Sequence, residues 1–376
     1  MRLFILCLLF TTTVFAKNIK VGVLHSLTGT MAISEKSVVD ATLLAIEEIN
    51  NNGGILGKKI TPIIKDGASD LSVFEKEATD LILKDKVAVV FGCWTSASRR
   101  TLKPIFEKYN HLLFYPIQYE GLESSPNILY TGAAPNQQIV PAVKWAMDTL
   151  GKRFFLVGSD YVFPHSANAI MKDQIKSLGA EVVGERYILL GSTQVEDIVK
   201  EIVQMRPDVI LNTINGDTNV AFFKALRANG ITPEKIPTIS FSIAEAELKA
   251  MGAKSFMGDY AAWNYFESID SPNNTTFKNA FKKKYGEDVV ITDPMEAAYI
   301  GVNIWAQAVK NANSTDVDDV KNALSGLSFF APEGAVSVDG KSQHIWKNVR
   351  IGKIKDDGQF EILWSTPKPI RPLPYP

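Results

Sequence analysis

The 376-residue chain sets 40 Lys and Arg against 41 Asp and Glu, a formal charge of −1, with 46% hydrophobic and 22% charged residues. This is ordinary globular composition, and without a basic run it offers no electrostatic footprint for nucleic acid. Met1-Arg2 is a basic head, Leu3 to Phe10 is apolar, and Val14-Phe15-Ala16 is a small-residue ending, the pattern of an export signal. Its apolar core is too short to span a bilayer, and no later run reaches the ~18 apolar residues needed, so no stable membrane insertion is expected. Cys7 follows Leu6 rather than a small residue, which argues against a lipoprotein anchor. Residues 1–16 are therefore expected to be removed near Ala16, leaving an exported chain from about Lys17. Loss of Arg2 takes its charge from −1 to −2. The remaining chain exceeds the ~250–300 residues at which a single core stops growing, so two domains are expected. It keeps only Cys93, which rules out an intramolecular disulfide.

Ile19 to Leu24 reads as a β-branched strand, and a helix is predicted from about Ser37 to Asn50, stopped by Gly53-Gly54. Strand Ile60 to Lys65 and a helix over Val73 to Lys84 follow. Val87 to Phe91 suits a buried parallel strand. Thr95 or Ser96 can cap the next helix, which runs to about Tyr109. Leu112 to Tyr115 is again a strand, ended by Pro116. This alternation marks a doubly wound parallel sheet. Asn127 to Pro135 reads as a crossing into a second unit, where the alternation restarts. Strands are predicted at Phe154 to Val157, Glu181 to Ile188, Val209 to Asn212 and Thr238 to Phe241, with helices at Gln138 to Leu150, Val195 to Met205 and Asn219 to Ala228. Tyr260 to Trp263 begins a return, followed by helices at Asn273 to Tyr285, Pro294 to Ala312 and Val317 to Leu324. The last stretch reads as short strands, and the proline run from Pro367 to Pro374 as an extended tail lying on a domain.

In an open parallel sheet, small ligands bind at the carboxyl edge. The loops Trp94-Thr95-Ser96 and Gln118-Tyr119-Glu120 fall there and offer an indole, two hydroxyls, helix-start N–H groups, an amide, a phenol and a carboxylate. That set suits a small polar molecule. Two such series in one exported chain suggest hinged lobes closing on a ligand.

From Ile19 to Pro374 the sequence resembles the type I periplasmic binding proteins of ABC importers, and within them the urea-binding and short-chain-amide-binding proteins. The resemblance rests on VGVLHSLTGTMAISE, FGCWTSASR, LLFYPIQYEGLE, YTGAAPNQQ, GSDYVFP, TINGDTN, AAWNYF, DPMEAAYIG and PIRPLPY. It implies a periplasmic location and permease subunits of an importer as partners. It also implies one lobe from residues 17–131 plus 264–331 and another from 132–263 plus 332–376, joined by three crossovers. Urea is planar and neutral, with four N–H donors and one acceptor, so a matched site needs several acceptors, a donor or two, and flat walls. In the second lobe the resemblance and the strand ends point to Tyr161, Asp217, Ser242 and Trp263 as further ligand contacts, with Met295 and Glu296 weaker. Asp217 serves equally well as the cap of the following helix. His165 stands where the urea binders commonly carry arginine.

An enzyme would have to rest on Cys93 as a thiolate nucleophile. The four histidines are scattered, and GxSxG, GxxxxGK[ST], HExxH and CxxC are all missing. A binding protein without catalysis, cofactor or metal is expected. Capture of an amino acid, or a ligand-sensing receptor or regulator domain on the same fold, are the alternatives. An amino acid would need a cradle for its carboxylate and an anion for its ammonium, in space that Trp94, Gln118 and Tyr119 restrict.

Overall fold

Short β-branched runs buried on both faces build two sheets, one in each lobe of the computed structural model, which describes residues 18–376. The expected signal segment and its cleavage near Ala16 lie outside the described residues. In the first sheet, β1 (Ile19–His25), β2 (Ile60–Asp66), β3 (Val90–Gly92), β4 (Leu113–Tyr115) and β5 (Ile128–Tyr130) are parallel, in the order β2-β1-β3-β4-β5. Their crossover helices are α1 (Ala32–Asn51), α2 (Leu71–Asp80) and α3 (Ser96–Lys108). After α4 (Ile139–Thr149) the pattern repeats with β6 (Arg153–Ser159), α5 (Val162–Ser177), β7 (Glu181–Ile188), α6 (Glu196–Met205), β8 (Val209–Thr213), α7 (Thr218–Ala228), β9 (Thr238–Ser240), α8 (Glu245–Met251) and β10 (Tyr260–Trp263). The second order, β7-β6-β8-β9-β10, copies the first. Both sheets thus reverse strand order at one place, between β1 and β3 and between β6 and β8, where a crevice opens at the carboxyl edge.

The chain then returns to the first lobe with α9 (Pro272–Tyr285), α10 (Asp293–Ala312) and α11 (Val317–Leu324). The strands β11 (Ser328–Ala331), β12 (Gly334–Asp339) and β13 (His344–Trp346) extend the first sheet beyond β5. β14 (Arg350–Ile354) and β15 (Phe360–Ser365) add an antiparallel edge to the second. The fold is the expected pair of doubly wound α/β lobes, with antiparallel strands at one edge of each sheet. One boundary moves. β12 and β13 pair in the first sheet, not in the second lobe as a division at residue 331 requires, so we place the third crossover at about 347–349.

Three local details depart from the sequence reading. α1 begins five residues before the expected Ser37, with Glu35 in its first turn accepting the Ser26 N–H (2.8 Å). α2 continues as a wider turn over Leu81–Asp85, ended by Lys86 at φ 54°. α8 was not anticipated. Its run of good helix formers, Glu245-Ala246-Glu247-Leu248-Lys249-Ala250, carries the signal, and Glu247 takes the Ala244 N–H (3.1 Å).

All three crossovers meet at Asn264, whose amide donates to Gln137 O (2.9 Å) and Asn348 O (2.7 Å). Beneath it lies a buried ionic knot. Lys347 pairs with Glu333 (2.8 Å) and donates to Thr131 O (3.1 Å), with Glu296 and Asp293 close by. The proline-rich tail runs extended across this region. Ile370 and Lys347 exchange backbone hydrogen bonds, and Pro374 O accepts from Leu122 N (2.7 Å).

Candidate ligand site between the lobes

β3 ends on Gly92, at φ 153°, where a Cβ would fall 2.0 Å from Leu24 O. Only glycine lets this strand end come so close to β1, and the close approach sets the start of the Cys93–Ser96 loop. Thr95 then caps α3 by accepting from Ser98 N (3.0 Å). Ser96 stands at the helix start with its hydroxyl held from both sides: Arg99 Nη1 donates to it (3.0 Å), and it donates to Glu120 Oε2 (2.5 Å). Gly132 performs the same service for the second loop. A Cβ there would lie 2.1 Å from the Ile117 carbonyl carbon.

Arg99 was not anticipated, yet it organises the wall behind both loops. Fully buried, it donates to Glu123 (2.9 Å) and Glu120 (3.2 Å), with its guanidinium 4.9 Å from the Tyr115 ring centre and 4.5 Å from that of Tyr119. Burial opposes its charge, but Tyr115, Glu120 and Glu123 carry it well above the ordinary guanidinium value. Arg100 adds a second donor to Glu120 (2.8 Å). The charges of this wall are matched among themselves.

In front of it lies a narrow cavity of about 10 Å³, lined by Trp94, Ser96, Tyr115, Ile117 and Gln118 from the first lobe and Tyr161, Phe163 and Asn215 from the second. The two lobes touch around it. Gln118 Nε2 donates to Phe241 O (2.9 Å), and Ser34 Oγ donates to Glu247 Oε1 (2.6 Å). Gln118 Oε1 is buried and has no hydrogen-bond partner. The Asn215 amide nitrogen is taken by Thr213 O (3.2 Å), which leaves its carbonyl oxygen as a further acceptor. Burial raises the Tyr161 phenol well above its usual value, so it stays protonated and able to donate. Four aromatic rings, two of them phenols, with a serine hydroxyl and two amides make a flat, uncharged lining.

Of the ten residues expected at the ligand, Trp94, Ser96, Gln118 and Tyr161 line this cavity. Thr95 caps α3 and borders a neighbouring chamber. Tyr119 stacks on Tyr130 (4.9 Å between ring centres) and bonds His344 Nε2 (2.5 Å), away from the cavity lining. Glu120 is saturated by Ser96, Arg99 and Arg100 and acts by holding Ser96. Asp217 is exposed and makes no side-chain cap. Ser242 donates to Ile214 O (2.6 Å), which braces the Asn215 loop from behind, and Trp263 donates to Ile243 O (2.8 Å) inside the second lobe's core. Glu296 belongs to the hinge knot. Tyr115, Ile117, Phe163 and Asn215 are additions. Tyr115 ends β4 and Asn215 follows β8 by two residues, so the strand-edge rule pointed to both. His165 lies outside the cavity, bonded to Asp160 (2.7 Å) and stacked on Tyr187 (3.7 Å).

Cys93 is fully buried, and burial pushes its thiol up to about 12, far from a thiolate at neutral pH. Among the described residues no group of three or more His, Cys, Asp or Glu is placed to hold a metal ion, and no helix is long and apolar enough to cross a membrane. A second, more apolar chamber of about 160 Å³ adjoins the first across Tyr161. Ser26, Met31, Glu35 and Phe74 line it from the first lobe and Leu190 from the second.

Comparison with known proteins agrees with this architecture. The chain is 23% identical over 361 residues to a Leu/Ile/Val-binding protein homolog of Brucella melitensis, covering 94% of this chain and 92% of that protein. A limonene hydroxylase of Geobacillus stearothermophilus is 37% identical over 124 residues, which is 33% of this chain and only 23% of that protein's length. Among solved structures, a solute-binding protein of an ABC transporter from Rhodopseudomonas palustris, in complex with p-hydroxybenzoic acid, superposes with a TM-score of 0.85 at 23% identity, over 94% of this chain and 98% of that one. An amino acid ABC transporter substrate-binding protein from Pseudomonas fluorescens gives 0.82 at 21% identity, over 93% and 96%. Residues 19–376 match the family described as periplasmic binding protein domain. The chain belongs to that family, with the two-lobed type I architecture.

Proposed function

We propose that the protein is exported to the periplasm, captures urea or a short-chain amide in the cavity between its lobes, and delivers it to the permease subunits of an ABC importer. The observation that carries this reading is Gln118 Oε1, a buried acceptor without a partner on a lining whose charges are already matched. A buried acceptor left unpaired costs about 1–3 kcal/mol, so a neutral N–H donor is the complement it calls for. An α-amino acid brings two charges, while Arg99 is already spent on Glu120 and Glu123.

The second reading is a larger ligand. The relatives include proteins named for leucine, isoleucine and valine or solved with a hydroxybenzoic acid, and the 160 Å³ chamber beyond Tyr161 is of the size that holds a benzene-sized molecule. It would require Tyr161 to swing aside. A melting screen of the purified protein against urea, formamide, acetamide, leucine and 4-hydroxybenzoate separates the two. The first reading expects stabilisation by the amides alone; stabilisation by leucine or the aromatic acid alone overturns it.

A further inference from the structure

α8 is a short helix of the second lobe, yet it reaches across to the first lobe away from both the ligand cavity and the hinge. Its Glu247 is only 3% exposed. One carboxylate oxygen, Oε2, accepts the Ala244 N–H at the start of the helix (3.1 Å), which fixes the side chain. The other, Oε1, accepts from the Ser34 hydroxyl in the first turn of α1 (2.6 Å). Ser34 is itself buried, at 4% exposure. Further along α8 the Lys249 ammonium donates to the Asp288 backbone carbonyl of the first lobe, but Lys249 is exposed. Neither Ser34 nor Glu247 lines the ligand cavity or the chamber beside it.

The burial of Glu247 depends on closure. α1 and α8 belong to different lobes, so parting the lobes would carry Ser34 away and return the carboxyl to water. Closing the lobes withdraws it again, which is unfavourable unless a protein donor replaces the lost water. Ser34 supplies that donor on one oxygen and the Ala244 N–H on the other, so both oxygens are matched in the closed arrangement. Without the Ser34 hydroxyl, closing would leave Oε1 dry and unpaired. The Lys249 bond is different, because an exposed donor exchanges water for a carbonyl with little net gain.

We propose that Ser34 and Glu247 form a clasp that holds a large share of the molecules closed before any ligand arrives. They are positioning residues. They touch no ligand and act by keeping the Gln118 loop of one lobe against the Tyr161 loop of the other. A ligand that needs both lobes then binds a state already populated, and its apparent affinity scales with that population. The effect on amide affinity rests on the function proposed above; the clasp itself does not.

The test is small-angle scattering of the full-length mature protein without added ligand, on wild type, Ser34→Ala and Lys249→Ala, followed by calorimetric titration of each with acetamide. Alanine is a good helix former, so Ser34→Ala keeps α1, and circular dichroism checks that it does. The expected result is a larger radius of gyration in Ser34→Ala, an unchanged one in Lys249→Ala, and acetamide binding weakened about fivefold or more in Ser34→Ala alone. The same radius in Ser34→Ala as in wild type would overturn the clasp. So would an equal expansion in Lys249→Ala, an expansion that comes with loss of helix signal, or acetamide affinity that stays the same in a Ser34→Ala protein that binds it. Silence from acetamide in all three proteins would count against the amide reading alone, because the radii need no ligand.

Discussion

The central cavity and the hinge are both buried and both polar, but they handle polarity in opposite ways. At the hinge, three carboxyls (Asp293, Glu296 and Glu333) surround Lys347 and Arg350, and the backbone of three crossovers is tied through Asn264. Burial raises each of those carboxyls, and Lys347 is held charged because Glu333 and its neighbours outweigh the burial that opposes it. The cavity does the reverse. Its charges sit one layer back, matched in the Arg99, Glu120 and Glu123 group, and its lining leaves an amide oxygen unfilled. At the hinge the charges meet one another directly, even with Asn264 Oδ1, Asp293 Oδ1 and Glu296 Oε2 left without hydrogen bonds, whereas at the cavity they lie one layer back and the unpartnered acceptor belongs to a neutral amide.

The largest expected effect comes from breaking the hinge. Lys347→Met would strand several carboxyls in a dry interior and should lower stability by about 3–5 kcal/mol. Guanidinium chloride unfolding should show the loss, urea being unsuitable as a candidate ligand. A loss below 1 kcal/mol would mean the knot is not what holds the crossovers.

Next comes pH, through the aromatic stack behind the second ligand loop. Burial lowers His344 to about 4, and the ring is neutral, stacked on Tyr130 (4.2 Å) and accepting from Tyr119. Between pH 6.5 and about 4 the unfolded chain binds a proton there that the folded one does not, so stability rises with pH. It is whole above 6.5 and lost on acidification, by about 3 kcal/mol for a single fully buried ring. His344→Phe keeps the stack and removes the proton. The difference between wild type and variant should therefore change with pH only inside that window, and a constant difference would contradict the assignment.

Sharpening the cavity side, Gln118→Leu removes the open acceptor while Gln138 still reaches Phe241 O (3.3 Å). Amide binding should weaken at least tenfold by calorimetry, consistent with about 1–3 kcal/mol for the bond, with little change in ligand-free melting. An unchanged affinity would remove Gln118 from the site. Smallest of all, Asp217→Ala should change binding and stability by no more than about 0.5 kcal/mol, as expected of an exposed residue without a partner. A larger effect would return Asp217 to the ligand.

These contrasts also mark how far the sequence could be read. Alternating runs such as Glu181–Ile188 and Val317–Leu324 kept their bounds to the residue because their periodicity is local. The strand-end rule found the Trp94–Ser96 and Gln118 loops and Tyr161. It could not separate the residues at the cavity from those one layer back, since that depends on partners distant in sequence. Glu120 reads as a ligand acceptor until Arg99, 21 residues earlier, is seen to occupy it. Asp217 looked like the stronger acceptor in a loop where the neutral Asn215 does the lining. The pairing of β13 with β5 spans more than two hundred residues and left no local trace, which is why the lobe boundary moved.

The most direct measurement is a calorimetric titration of the mature protein with urea, flanked by acetamide and leucine. Four heavy atoms at roughly 1.5 kcal/mol each set a ceiling near −6 kcal/mol, or a Kd on the order of tens of micromolar. The account predicts saturable one-to-one binding of urea or acetamide at or above that limit, with no heat from leucine. Saturable binding of leucine with silence from both amides would contradict it.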